Sequence, residues 1–148
     1  DPRYELSKSL VENIPSNSTV LAYNMSFEKG VIRKLANLYG DFTYELMSIH
    51  DNMQDLMVPF QKKWYVTRAM QGSYSIKYVL PALVPEMEKA YKNLDLIHNG
   101  GEAMNAYANM SNLSNEEKIA YRRALLEYCK LDTLAMVKIL KVIKKTIK

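Results

Sequence analysis

Tyr128 and Asp132, in the segment LLEYCKLDTLAM, stand four residues apart and project from one side of any helix that contains them. A phenol and a carboxylate so placed beside Leu and Met share apolar surroundings, where an ionised carboxylate requires a partner. Two other polar groups occupy positions where chemistry is common. In YNMSFEK, Asn24 ends an apolar run and Glu28 falls in the first turn of the helix that follows. In MQDLMVPF, Asp55 is a carboxylate inside an apolar strand. Each also has a plain structural use. Asn24 can cap the helix while Glu28 answers its positive dipole, Asp55 can bond backbone N–H groups, and Tyr128 can donate to Asp132 as structural glue.

The elements that must position these groups follow from periodicity. Leu6, Leu10, Val11 and Ile14 set a first helix that PSNS, residues 15–18, interrupts. TVLAYN, residues 19–24, is β-branched and apolar between turn formers, which suits a buried strand. Phe27, Val31, Leu35 and Leu38 then step at three and four residues toward Gly40, the place of a helix C′ glycine. DFTYELMSIH reads as a short helix and NMQDLMVPF as a second strand stopped by Pro59. GSYSIKYVLPALVP becomes helical from about Ser75, is interrupted by Pro81 and closes at Pro85. An extended piece around NLDLIHNGG precedes a helix in EAMNAYANM. The last and longest helix opens on a capping box, Ser114 with Glu117 three residues later. Helices around about two short parallel strands define an α/β class, mostly helical, and a parallel pair calls for further strands beside it.

Composition bounds the rest. With 148 residues and 17.1 kDa, the expectation is one domain spanning residues 1–148. At 48% hydrophobic and 24% charged residues the chain is far from the disordered classes. No apolar run approaches the roughly 20 residues of a membrane helix, so no membrane partner is expected. A single cysteine, Cys129, rules out an internal disulfide and a cysteine-rich zinc site. It points to a reducing cytoplasmic setting and reads as a reduced core residue. With only His50 and His98, far apart in sequence, a metal site would be built from oxygen ligands. The net charge of +4 owes much to VKILKVIKKTIK, whose lysines either complement the helix dipole or meet phosphates. The opening DPRYELSKSL is charged and lacks an initiator Met, which suggests a chain that starts inside a longer protein.

The order of strand, Asn-x-x-Phe-acid and helix, then a distant Tyr-x-x-x-Asp on a final helix, resembles the second and third motifs of the DnaQ-like 3′-5′ exonucleases, in their tyrosine branch. GSYSIKYVLPAL resembles that branch's Ser-Leu-Lys segment, carried by Ser75, Ile76 and Lys77. Together with NGGEAMNAY and LLEYCKLDTLAMV, these stretches are similar to an uncharacterised bacterial domain family with a ribonuclease H-like fold. The resemblance implies that this chain is the C-terminal portion of such a domain, its first strands lying upstream. It makes Glu28 and Asp132 carboxylate ligands of Mg²⁺ or Mn²⁺ and Tyr128 the residue that orients the attacking water. Asn24, Ser75 and Lys77 would contact nucleic acid.

Two features depart from the pattern. Glu28 stands where Asp is usual, and no Asp-x-Glu pair occurs anywhere in the chain. A two-ion site requires several carboxylates, so the chain alone is expected to be inactive. The first reading is therefore part of a metal-dependent exonuclease acting on DNA or RNA. The alternative is a non-catalytic nucleic-acid-binding or interaction module of the same fold. An unpaired sheet edge also suggests self-association.

Overall fold

Thr19–Asn24 supplies a strand of three residues, Val20–Ala22 (β1), and the apolar run after Asn52 supplies another, Met53–Asp55 (β2). They pair in parallel with Val20 opposite Met53, Leu21 opposite Gln54 and Ala22 opposite Asp55. The computed structural model describes residues 1–147. It divides into two compact units, Asp1–Trp64 and a second that starts at Tyr65.

In the first unit a helix, Pro2–Asn13 (α1), begins on Asp1, whose side chain accepts from the Arg3 N–H. After β1, helix α2 (Ser26–Leu38) leads through a 3-10 turn at Gly40–Phe42 into α3 (Thr43–Asp51), and β2 follows. A parallel pair needs a crossover of this kind, because a tight hairpin can join only antiparallel strands. The core joins Ala22 and Met53 of the strands to Ile32, Leu35 and Ala36 of α2 and to Leu46 and Ile49 of α3. Leu10, Val11 and Ile14 of α1 pack against it.

Two expectations are corrected here. The second strand stops at Asp55 instead of running to Pro59, and Val58–Gln61 forms a single helical turn (α4). The cause is local: Pro59 lies in the first turn of α4, where its missing N–H is harmless, and Asp55 turns the chain by accepting the Met57 N–H at 2.9 Å. The buried face of α2 is also not the Phe27/Val31 stripe. Phe27, Val31 and Leu38 are exposed, and the inward row is Glu28, Ile32, Leu35 and Ala36, shifted by one residue around the helix.

In the second unit a 3-10 turn at Arg68–Met70 precedes α5 (Ile76–Leu83), which runs through Pro81 instead of being interrupted there, because this proline costs only the one bond its missing N–H would make. A 3-10 turn at Pro85–Met87 follows, then an irregular stretch, α6 (Gly100–Asn109), a 3-10 turn at Met110–Asn112 and α7 (Asn115–Thr146). The expected capping box is formed: Ser114 and Glu117 satisfy each other's backbone N–H groups at the start of α7. Its buried apolar residues include Val79 and Leu80 of α5, Val84, Ile97, and Ala135 and Ile139 of α7. No helix among the described residues is long and apolar enough to cross a membrane.

Asp55 binds the first unit together at the carboxyl ends of both strands. One oxygen accepts the Asn24 N–H at 3.0 Å and the Met57 N–H at 2.9 Å, and the other accepts the Met25 N–H at 3.0 Å. Replacing it with Ala strands three donors that water reaches only partly. Asp55→Ala should lower unfolding free energy by roughly 2–4 kcal/mol in a urea titration. Asp55→Asn, which keeps one oxygen, should recover part of that loss. An Ala variant as stable as the parent would contradict this role.

Candidate functional site

The carboxylates singled out in the sequence fall into two clusters, one in each unit, and Ser75 and Lys77 lie apart on α5. In the first, β1 ends at Ala22 and the chain turns sharply through Asn24, whose φ of 67° is left-handed, a conformation Asn tolerates better than most residues. The Asn24 side chain does not cap α2. Its carboxamide oxygen accepts the Ser26 hydroxyl at 2.9 Å, while the N-cap position is Met25 with no side-chain bond. The two backbone N–H groups exposed by this turn are the ones Asp55 takes up. Of the two uses open to Asp55, the structure realises the backbone clamp.

Glu28 sits one turn further on, in the inward row of α2. Its Oε2 is buried and has no hydrogen-bond partner. Partial burial raises its carboxyl pKa above the usual range, its own backbone N–H opposes that shift, and the charge of Asp55 adds to it. The Tyr23 hydroxyl is pushed far upward by burial and by Asp55. Two carboxylates thus share this end of the sheet with opposite fates: Asp55 is fully engaged by backbone donors, and Glu28 has an oxygen that nothing in the unit engages.

The second cluster lies on α7. Ala124, Tyr128, Asp132, Ala135 and Ile139 follow one another at three- and four-residue steps, and Ala124, Ala135 and Ile139 are buried. Tyr128 and Asp132 therefore interrupt the packed stripe of the helix. The side chain that answers them is Tyr91, from the irregular stretch before α6. Its hydroxyl donates to Asp132 Oδ1 at 2.7 Å, and its ring lies 6.3 Å from that of Tyr128. Tyr91 escaped the sequence reading because nothing in EKAYKNLDL marks it, and its partner lies 41 residues away. Both phenols are held protonated. Burial and then Asp132 push Tyr128 upward, and burial and the bond to Asp132 do the same to Tyr91. The first turn of α6 comes close, since a Cβ on Gly100 would lie 3.9 Å from the Tyr128 hydroxyl.

Cys129 is corrected. It is exposed, not a core residue, because it stands one position off the buried stripe. Desolvation and the charge of Asp132 still raise its thiol pKa, so it is no activated nucleophile. Ser75 is the N-cap residue of α5 and makes no side-chain cap bond, and Lys77 lies exposed one residue into the helix.

A two-cation site of the kind the exonuclease resemblance implies needs several carboxylate oxygens free of other bonds. Asp55 has its oxygens bonded to backbone, Asp132 has one taken by Tyr91, and Glu28 alone offers a buried, unengaged oxygen. Among the described residues no three His, Cys, Asp or Glu side chains converge to hold a metal ion. The donors present do not fit a two-ion site by themselves.

Residues 1–75 match the family described as Domain of unknown function (DUF2779). That segment contains Asn24, Glu28, Asp55 and Ser75 and stops short of Tyr91, Tyr128 and Asp132. The uncharacterized protein UU173 of Ureaplasma parvum is 30% identical over 109 residues, covering 66% of this chain and 16% of its own length. The uncharacterized protein MG366 of Mycoplasma genitalium is 29% identical over 153 aligned residues, covering 95% of this chain and 22% of its own length. The chain thus spans less than a quarter of either relative. No solved structure matches it.

A carboxylate whose pKa is raised by folding binds its proton more tightly in the folded state. Its ionisation then opposes folding once pH exceeds the unfolded value, about 4.3, and the cost is complete above the folded value. Glu28→Gln should therefore be at least as stable as the parent at pH 7, by thermal melting. The difference should disappear as pH falls below about 4. A clear loss of stability at pH 7 would show that Glu28 serves the fold.

Proposed function

The chain belongs to the family described as Domain of unknown function (DUF2779), and from that premise we propose that it is part of a ribonuclease H-like, DnaQ-like nuclease domain that hydrolyses DNA or RNA phosphodiesters from a 3′ end. The observation that carries this reading is Glu28. A carboxylate oxygen buried without a donor, in the first turn of the helix after β1, lies where α/β folds gather their ligands. Such a group is costly for folding and useful to a substrate or ion. The Tyr-x-x-x-Asp pair of α7 supplies the other half of the argument, because a packed stripe gives way there to a phenol and a carboxylate.

The reading assigns separate tasks. Tyr128, protonated at any physiological pH, donates a hydrogen bond and so orients a water or a phosphate oxygen; it does not act as a base. Asp132 accepts from Tyr91 and is also bonded by the Tyr128 hydroxyl, and these two contacts fix its rotamer. Glu28 offers its buried, unengaged oxygen within the first unit.

A second reading, a non-catalytic nucleic-acid-binding module, is favoured by the engagement of Asp55 and Asp132 in structural bonds. One experiment separates the two. The intact protein is incubated with 5′-labelled single-stranded DNA and RNA in Mn²⁺, and products are resolved by length. Shortening from the 3′ end is expected. It should fall on the order of a hundredfold in Glu28→Gln and Asp132→Asn and by roughly tenfold or more in Tyr128→Phe. Products formed equally by parent and variants, or no shortening at all, would remove the nuclease reading.

A further inference from the structure

Before α6 the second unit carries an irregular stretch that is fixed at its two ends and little supported between them. At one end the Tyr91 hydroxyl donates to Asp132 at 2.7 Å. At the other Ile97 is buried, and His98 donates its backbone N–H to Glu102 Oε2 at 2.7 Å and sets its ring Nδ1 3.1 Å from the same oxygen. Asn99 then caps α6 by accepting the Glu102 N–H. In the middle, Lys92, Asn93, Asp95 and Leu96 are exposed, and neither Lys92 nor Asp95 forms an ion pair among the described residues.

The middle also stands away from its neighbours. A cavity of about 450 Å³ separates residues 93–96 from Ala120, Arg123, Ala124 and Glu127 of α7, and another of about 300 Å³ runs from Leu96 to α6 and Tyr121. The backbone is strained at Leu96. Its φ of 62° is left-handed, and across it the Ile97 N–H bonds the Asp95 carbonyl at 2.7 Å, a γ-turn of the hand that is rare and costly for a residue with a side chain. Such strain persists only where surrounding contacts impose it. Leu96 is itself 50% exposed, so the contacts that impose it are those at the two ends.

We propose that residues 91–97 are a releasable strap, latched by Tyr91 on Asp132, which regulates the α7 site by holding it closed. The regulation rests on the reading of that site given above. In the latched state Asp132 accepts from both Tyr91 and Tyr128, so the protein's own phenols answer its charge and no ligand is required. Release withdraws one of the two. Tyr128 belongs to α7 and stays, so the carboxylate keeps one bond to hold its rotamer and recovers an acceptor position for a ligand. The strain at Leu96 lowers the cost of release, because the open strap can return this residue to negative φ. The cavities on either side leave the middle of the strap few contacts to break. One hydrogen bond to a carboxylate is thus set against relief of one strained turn, and that balance makes two states accessible.

The test is hydrogen exchange followed by mass spectrometry on the intact protein, comparing a peptide from residues 92–98 with one from residues 134–142 of α7. Tyr91→Phe should speed exchange in the first about tenfold, as expected for loss of one charge-assisted hydrogen bond, and leave the second within about twofold. Leu96→Gly, which removes the penalty of a left-handed φ, should slow the first about threefold. In an Asp132→Ala background Tyr91→Phe should add nothing, since the latch has already lost its acceptor. Equal acceleration of both peptides in Tyr91→Phe would overturn the proposal, because Tyr91 would then serve the whole unit, and so would exchange that this variant leaves unchanged. The 3′-shortening assay reads the regulation: Tyr91→Phe should raise its rate about threefold and Leu96→Gly should lower it. A fall in Tyr91→Phe would overturn the proposal, since the contact would then hold the carboxylate ready instead of closing it. Faster strap exchange without shortening by any form would leave the strap standing and remove the nuclease reading. Shortening that depends on Asp132, with strap exchange untouched by Tyr91→Phe, would do the reverse.

Discussion

The first unit depends on a problem of backbone donors at the end of a parallel pair. Strands of three residues satisfy few of their own groups, and the turn through Asn24 leaves N–H groups facing the end of the sheet. Asp55 answers them from the neighbouring strand. Its oxygens meet Asn24, Met25 and Met57, so one carboxylate closes β1, starts α2 and turns the chain out of β2. The register follows, because Asp55 lies opposite Ala22, the last residue of β1. A slip of one residue would place Gln54 there and face Asp55 away. The inward row of α2 is placed by the same clamp, and with it Glu28.

The second unit is organised by α7. Over 32 residues it would extend about 48 Å, and its buried stripe is narrow, made of Ala124, Ala135 and Ile139. Small residues let neighbouring elements approach closely. Where the stripe carries Tyr128 and Asp132, a second tyrosine arrives to satisfy the carboxylate. The arrangement is self-consistent without any ligand, which explains how two polar groups survive on a packing face. It also fixes their geometry, which a site for chemistry requires.

Much of this was legible in the sequence, for reasons that are local. The period of three and four residues marked α1 and α2, and the Ser114/Glu117 box that marked α7 is formed as written because both partners lie within one turn. The parallel pairing followed from two apolar runs separated by helical sequence. The misreadings concern choices that tertiary context makes. Phe27 and Val31 have the right spacing for a buried face, but so does the row beginning at Glu28, and apolar character favoured the wrong one. Pro59 looked like the stop of a strand and is the start of a helical turn, since both positions tolerate a missing N–H. Cys129 borders a buried stripe without joining it. Tyr91 was invisible because its role exists only across a long sequence separation.

The two carboxylates at the end of the small sheet have opposite physical accounts. Asp55, the more conspicuous carboxylate in the sequence, is explained completely by structural bonds, so it gives no argument for a substrate or an ion. Glu28 is the reverse case. Its buried oxygen has no donor, burial and Asp55 both disfavour its charge, and a glutamine of the same shape would avoid that cost. Only its own backbone N–H offsets that burial, and a local rule broken with so little compensation is a common mark of a group that acts on something outside the unit. That difference between two carboxylates at one end of one small sheet carries more information about function than either motif does alone.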